Sequence, residues 1–239
     1  MRKCLFCGGR ENLTQEHIIA RWLQRELGIS QETVRILGGS ENMPRVEREL
    51  VFNKFTDGRI CRTCNSNWMS KLEDENKQHI LKLMRMEDIE GELAYLSEGG
   101  NDSLAKWAFK TALLLGNTAK DVLEIPPSHF EALYHRRIPD GVLIEVAFSE
   151  KAEAAGWKAG DATWNEQEMN DAPYMVMLQL EHLLIRVTYN MKESQMNIDN
   201  DTFEIYPECG LKGEFRIYQD MDAMLMHCDN PWNINPLGW

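Results

Sequence analysis

The sequence predicts an α+β protein: a small N-terminal unit stapled by a metal, then helices and an antiparallel sheet. Three observations carry this. Four of the six cysteines form two C-x-x-C pairs, Cys4-Leu-Phe-Cys7 and Cys61-Arg-Thr-Cys64. Apolar residues recur at helical spacing at Trp68, Met69, Leu72, Ile80, Leu83 and Met84, and again from Leu104 to Leu115. Beyond residue 140 the period changes to two, at Val142, Ile144, Val146 and Phe148, at Met175 and Met177, at Ile185, Val187 and Tyr189, and at Phe203 and Ile205.

The first unit earns its strands and helices from local signals. Leu13 to Ile18 and Phe55 to Ile60 read as two strands, with Asp57-Gly58 as the place for a turn or bulge. Ile18 to Leu27 reads as a helix with Ile18, Ile19, Trp22, Leu23 and Leu27 on one face, stopped by Gly28. Thr33 to Ile36 and Val46 to Phe52 alternate like strands around Gly38-Gly39-Ser40. A helix is expected to open at Asn65, with Glu73-Asp74-Glu75 as a solvated interruption of its stripe. Further on, Ser103 is placed to cap a helix ending near Gly116, and Pro126-Pro127-Ser128 to open another. Trp232 and Trp239 predict a tail that packs down. The composition shift near residue 90 suggests two domains, 1–90 and 100–239.

Charge is distributed unevenly over the 239 residues. The net value is −12, yet residues 1–80 hold 13 Lys+Arg against 11 Asp+Glu, while residues 81–239 hold 13 against 27. A nucleic-acid partner is therefore compatible with the first part, and the acidic remainder predicts contact with protein or with a second copy of the chain. No stretch approaches the roughly 18 apolar residues of a membrane span. Met1-Arg2-Lys3-Cys4 lacks the apolar segment of a secretory signal, so a cytoplasmic protein is expected.

In that setting paired C-x-x-C knuckles read as zinc ligands rather than disulfides. Two thiolates three residues apart on a tight turn occupy two corners of a tetrahedron about 2.3 Å from the ion, and the second knuckle fills the others. Gly8-Gly9 lets the turn pass close to sulfur. A redox pair, or two unrelated pairs of buried thiols, are the competing readings. Cys209 and Cys228 read as ordinary buried cysteines, His129, His135, His182 and His227 as core or surface residues, and Met221, Met224 and Met226 as packing.

Between the knuckles stands Glu16-His17, and directly after the second stands Asn65. If the backbone is irregular there, a carboxylate and an adjacent imidazole can serve one reaction. Glu16 and Asn65 would offer oxygens to a hard divalent cation, and His17 would take a proton from water. Taken one at a time, His17 also reads as a hydrogen-bonded histidine beside Ile18 and Ile19, and Asn65 as a helix cap.

These residues together resemble the HNH, or ββα-metal, nuclease superfamily, in its Cys4 zinc variant of the recombination endonuclease VII type. The resemblance covers residues 1 to about 80. It implies a ββα-metal (treble-clef-like) zinc module and metal-dependent hydrolysis of nucleic acid, most of all DNA. It also implies a structural Zn²⁺ on Cys4, Cys7, Cys61 and Cys64, a catalytic Mg²⁺ or Mn²⁺ on Glu16 and Asn65, His17 as general base, and a phage-related or anti-phage setting. Glu16 stands where Asp or His is commoner. Thr56 stands where many members carry a central Asn or His, a residue the endonuclease VII type does without. Nine cations from Arg21 to Lys71 can track phosphates or simply form solvated faces. Arg59 and Arg62 are favoured for phosphate contact, since the knuckle fixes them near the site. The alternative function is a non-catalytic zinc-ribbon module that binds nucleic acid or protein.

Overall fold

The computed structural model describes residues 2–38, 46–119, 123–161, 173–189, 202–212 and 216–226. The fold is α+β, with helices and antiparallel sheets and a four-cysteine cluster at the N-terminal end. The chain opens in a knuckle in which Cys4 N–H donates to Gly9 O (2.7 Å) and Gly8 N–H to Cys4 O (3.0 Å). Gly8 takes φ +70°, the left-handed conformation that a side chain resists.

Strand β1 (Leu13–His17) pairs antiparallel with β4 (Thr56–Cys61). The irregularity expected at Asp57-Gly58 is present: between the pairs Thr14–Ile60 and Glu16–Asp57, two residues of β4, Gly58 and Arg59, stand opposite Gln15 alone. The Asp57 carboxylate holds this bulge, accepting from the Arg59 N–H at 2.8 Å and from the Arg59 guanidinium. Helix α1 (Arg21–Glu26) is shorter than the apolar pattern suggests, because Ile18 N–H still donates across to Phe55 O at 3.1 Å. Gly28, at φ +72°, ends it. Strands β2 (Thr33–Gly38) and β3 (Val46–Val51) form the expected hairpin, whose tip at Gly39, Ser40 and Arg45 lies outside the described residues.

After β4 the helix opens at Arg62, three residues earlier than expected. Cys61 caps it, its sulfur accepting the Cys64 N–H at 3.4 Å. The helix then runs without a break through α2 (Arg62–Cys64), a π-helical turn (Asn65–Met69) and α3 (Ser70–Met84). Next come α4 (Ile89–Tyr95), a second π-helical turn (Leu96–Gly100), α5 (Asn101–Thr118) and α6 (Pro127–Tyr134). Ser103 does not cap α5. Its hydroxyl bridges back to α3, donating to Glu75 and accepting from Asn76, both at 2.9 Å.

Two long strands, β5 (Val142–Asp161) and β6 (Tyr174–Tyr189), dominate the C-terminal sheet. Met175 and Met177 therefore share one strand with Ile185 to Tyr189, across an irregularity near Glu181. Strands β7 (Thr202–Tyr206) and β8 (Gly210–Lys212) extend the sheet antiparallel in the order β6-β5-β7-β8. Strand β9 (Ile217–Tyr218) joins β5 in parallel, and α7 (Met221–Met226) follows it, with Met221 and Met224 buried. Trp232, Trp239, His227 and Cys228 lie outside the described residues.

Helix α5 is the hub. Trp107, Phe109 and Leu113 to Leu115 are buried where it packs on α3 and on β5, β6 and β7. A contiguous set of buried side chains runs from Cys4 and Phe6 through α3 and α5 to Ile205, across the boundary expected near residues 90–100. The sheet also reaches the N-terminal part directly. The Trp157 ring stacks on Phe55 (centroids 5.0 Å apart) and meets Phe52 edge-on at 6.3 Å. Trp157→Ala is expected to lower unfolding stability by about 2 kcal/mol in urea titrations, less than a fully buried tryptophan because the residue is only partly buried.

Candidate functional site

The sulfurs of Cys4, Cys7, Cys61 and Cys64 all lie within 4.8 Å of one another, and the four thiols are unpaired by disulfides. Cys4 and Cys64 are 3.9 Å apart and Cys7 and Cys61 3.6 Å, far beyond a disulfide and close to the roughly 3.8 Å edge of a tetrahedron with 2.3 Å metal–sulfur bonds. Main-chain N–H groups aim at the sulfurs: Cys61 N–H at Cys4, Cys64 N–H at Cys61 and Gly9 N–H at Cys7, each at 3.4 Å. The buried indole N–H of Trp68 has no oxygen or nitrogen acceptor among the described residues and turns toward the Cys64 sulfur. Donors converging on sulfur stabilise thiolates. The Cys4 thiol is held down at about 4, first by the Cys64 thiol and then, against its burial, by backbone N–H groups. The donor set and its geometry fit a metal ion such as zinc.

The cluster draws the start of the chain onto the junction of β4 and α2, and so sets Asn65 beside β1. The Asn65 amide nitrogen donates to Thr14 Oγ1 at 3.3 Å, and that hydroxyl donates onward to Ile60 O at 2.9 Å. The same amide lies near enough to the Glu16 carboxylate to lower its pKa. Glu16 and Asn65 thus meet, each half-buried, and the amide oxygen accepts no hydrogen bond among the described residues. A carboxylate with a free amide oxygen beside it is the hard-oxygen donor set that Mg²⁺ or Mn²⁺ takes together with water and phosphate.

His17 follows directly, opposite Thr56 in the strand pair. Its Nε2 lies 3.0 Å from Asn53 O and 3.2 Å from Arg21 Nε. Arg21 also acts electrostatically on Glu16, so this one guanidinium links the carboxylate and the imidazole. Burial lowers the His17 pKa, Arg21 lowers it further, and the Asn53 carbonyl opposes both. The imidazole is therefore biased toward its neutral, proton-accepting form.

Behind Glu16 lies a pair that sequence reasoning missed. Glu73, expected in a solvated stretch, is 8% exposed, and its carboxylate accepts from Lys110 Nζ and, at 2.7 Å, from Trp22 Nε1. Lys110 is 1% exposed. Burial raises the Glu16 pKa. Lys110 pulls it back, Glu73 pushes it up again, and Arg21 and the Asn65 amide lower it. The signal was present in the helical spacing: Lys110 lies three residues after Trp107 and four before Leu114, on the apolar stripe, and Glu73 lies four after Met69.

Arg59 is occupied by Asp57, through Nη2 at 2.8 Å, and Asp57 also takes the Asn117 amide. Its guanidinium lines a cleft of about 620 Å³ between the first knuckle and α6, together with Lys3, Phe130 and Tyr134. Arg62 is exposed on α2. His129 is a core residue bonded to Tyr174, His182 bonds Ser149 O, and the Cys209 thiol donates to Leu96 O. Among the described residues no helix is long and apolar enough to cross a membrane.

Comparison with protein-family models, with curated proteins and with solved structures returned no match to this chain. Equimolar zinc is expected in protein purified without chelators. Cys61→Ser should lose it together with cooperative unfolding, as metal analysis and calorimetry would show. Lys110→Met is expected to cost about 3–5 kcal/mol by stranding the buried Glu73 charge. Adding Glu73→Gln should recover most of that loss in denaturant titrations.

Proposed function

We propose that this chain is a metal-dependent endonuclease of the HNH type. It would hydrolyse phosphodiester bonds of nucleic acid, DNA foremost, with His17 as general base, Glu16 and Asn65 as ligands of a Mg²⁺ or Mn²⁺ ion, and a structural zinc on the four cysteines. The observation that carries the reading is the meeting of the Glu16 carboxylate with the Asn65 amide, next in sequence to an imidazole tethered to a main-chain carbonyl.

The chain's own groups supply the steps. With the ring proton on Nε2 and donated to Asn53 O, the lone pair stands on Nδ1, and Nδ1 has no partner among the described residues. Nδ1 takes a proton from water as the water oxygen bonds to phosphorus. The bond from phosphorus to the 3′ oxygen breaks, leaving a 5′ phosphate, and the 3′ oxygen takes a proton from solvent. Burial favours the neutral imidazole, the form this step needs. The divalent cation, when bound, stabilises the charge that grows on the phosphate oxygens. Lys110 and Glu73 hold the wall behind Glu16. The acidic residues 81–239 would repel DNA, and we assign them to contact with protein or with a second copy of the chain.

A zinc module that binds nucleic acid without cutting it is favoured by one observation, the bonding of Arg59 to Asp57 in place of an open phosphate contact. Plasmid cleavage separates the two. With Mg²⁺ or Mn²⁺ the wild type should nick supercoiled DNA and EDTA should stop it. His17→Ala should cut at least about 10²-fold more slowly while keeping its zinc. Intact plasmid under every metal condition would leave the binding module as the reading.

A further inference from the structure

Arg21 stands in the site without a partner suited to it. It is the exposed first residue of α1, four residues after His17, and it forms no ion pair among the described residues. Its one side-chain hydrogen bond among the described residues runs from Nε to His17 Nε2 at 3.2 Å. The same ring nitrogen lies 3.0 Å from Asn53 O. These two contacts require opposite states of Nε2. A carbonyl oxygen needs a proton on that nitrogen, whereas an arginine N–H needs its lone pair. One imidazole tautomer satisfies Asn53 and the other satisfies Arg21, so the two residues compete for the proton position.

This bears on the endonuclease reading above and rests on it. While Arg21 donates to Nε2, the ring proton sits on Nδ1 and that nitrogen cannot accept one from water. Once Arg21 leaves, the Asn53 carbonyl draws the proton to Nε2 and the Nδ1 lone pair is free. An anion that takes the guanidinium therefore also sets the base. An arginine fork matches the paired non-bridging oxygens of a phosphodiester, and among the described residues Arg21 is the cation that bonds His17 and also acts electrostatically on Glu16.

We propose that Arg21 receives the non-bridging oxygens of the substrate phosphodiester and, by moving off His17, switches the imidazole to its Nε2–H tautomer. Arg21 would then be a binding residue for phosphate and a positioning residue for the base. Arg59 and Arg62, favoured on sequence spacing, would be secondary to it.

Full-length wild type, Arg21→Ala and Arg21→Lys test this on a short DNA duplex. The first readout is affinity against salt in EDTA, where nothing is cut. Arg21→Ala should flatten the slope of log affinity on log salt by about 0.9, the loss of one phosphate contact, and Arg21→Lys should keep the slope. The second readout is cleavage with Mg²⁺, where both variants should lose kcat, because lysine restores the charge without the fork. The third is the ¹⁵N spectrum of the histidine rings in EDTA, where duplex should move the His17 signals of the wild type toward the Nε2–H form. A wild type that cuts DNA while Arg21→Ala keeps the same salt slope and the same kcat overturns the assignment to Arg21 alone. A wild type that neither binds nor cuts the duplex overturns the endonuclease reading, and this inference with it.

Discussion

Four sulfurs brought within 4.8 Å of one another are the constraint on which the N-terminal third depends. Nothing in the local sequence holds residues 4–7 against residues 61–64, and the stretch between them builds only short strands, one short helix and a hairpin. Closing that loop through a metal converts binding energy into folding energy. It also fixes direction. Cys61 ends β4 and caps the helix with its sulfur, so the chain turns from strand to helix at the sulfur cluster. Asn65 then falls one turn later, facing β1.

A second, less conspicuous constraint supports the first. Glu73, Lys110 and Trp22 come from three helices and meet behind Glu16. Two carboxylates in a partly dehydrated space repel, and the buried Lys110 ammonium, which acts on both, offsets the repulsion. Lys110 belongs to α5, which packs on the C-terminal sheet. The C-terminal part is thus joined to the environment of the candidate site, through this ion pair and through the Trp157 contact with Phe55.

Much of this was legible beforehand. The knuckles announce themselves by spacing, and a tetrahedral ion leaves few other uses for two pairs of thiols in one chain. Strand and helix periods located β1, β4, α3 and α5 to within a few residues. The misplacements have local causes. The helix begins at Arg62 because a cysteine sulfur serves as its cap, a role that propensity does not assign. The bulge, by contrast, lies in β4 where Asp57-Gly58 signals it, held by the bond from the Arg59 N–H to the Asp57 carboxylate.

What the sequence determined by itself was a set of identities and spacings: which four residues offer thiolates, where a carboxylate and an imidazole are neighbours, and where the period passes from helical to strand-like. Only the tertiary structure decided which of these meet. Asn65 comes beside Glu16 from the next helix, Arg59 is taken by Asp57, and Arg21 turns back to His17. The reason is that periodicity reports which face of one element is buried. Which charge lies opposite which depends on how separate elements are stacked, and here a sulfur cluster and a buried ion pair set that stacking.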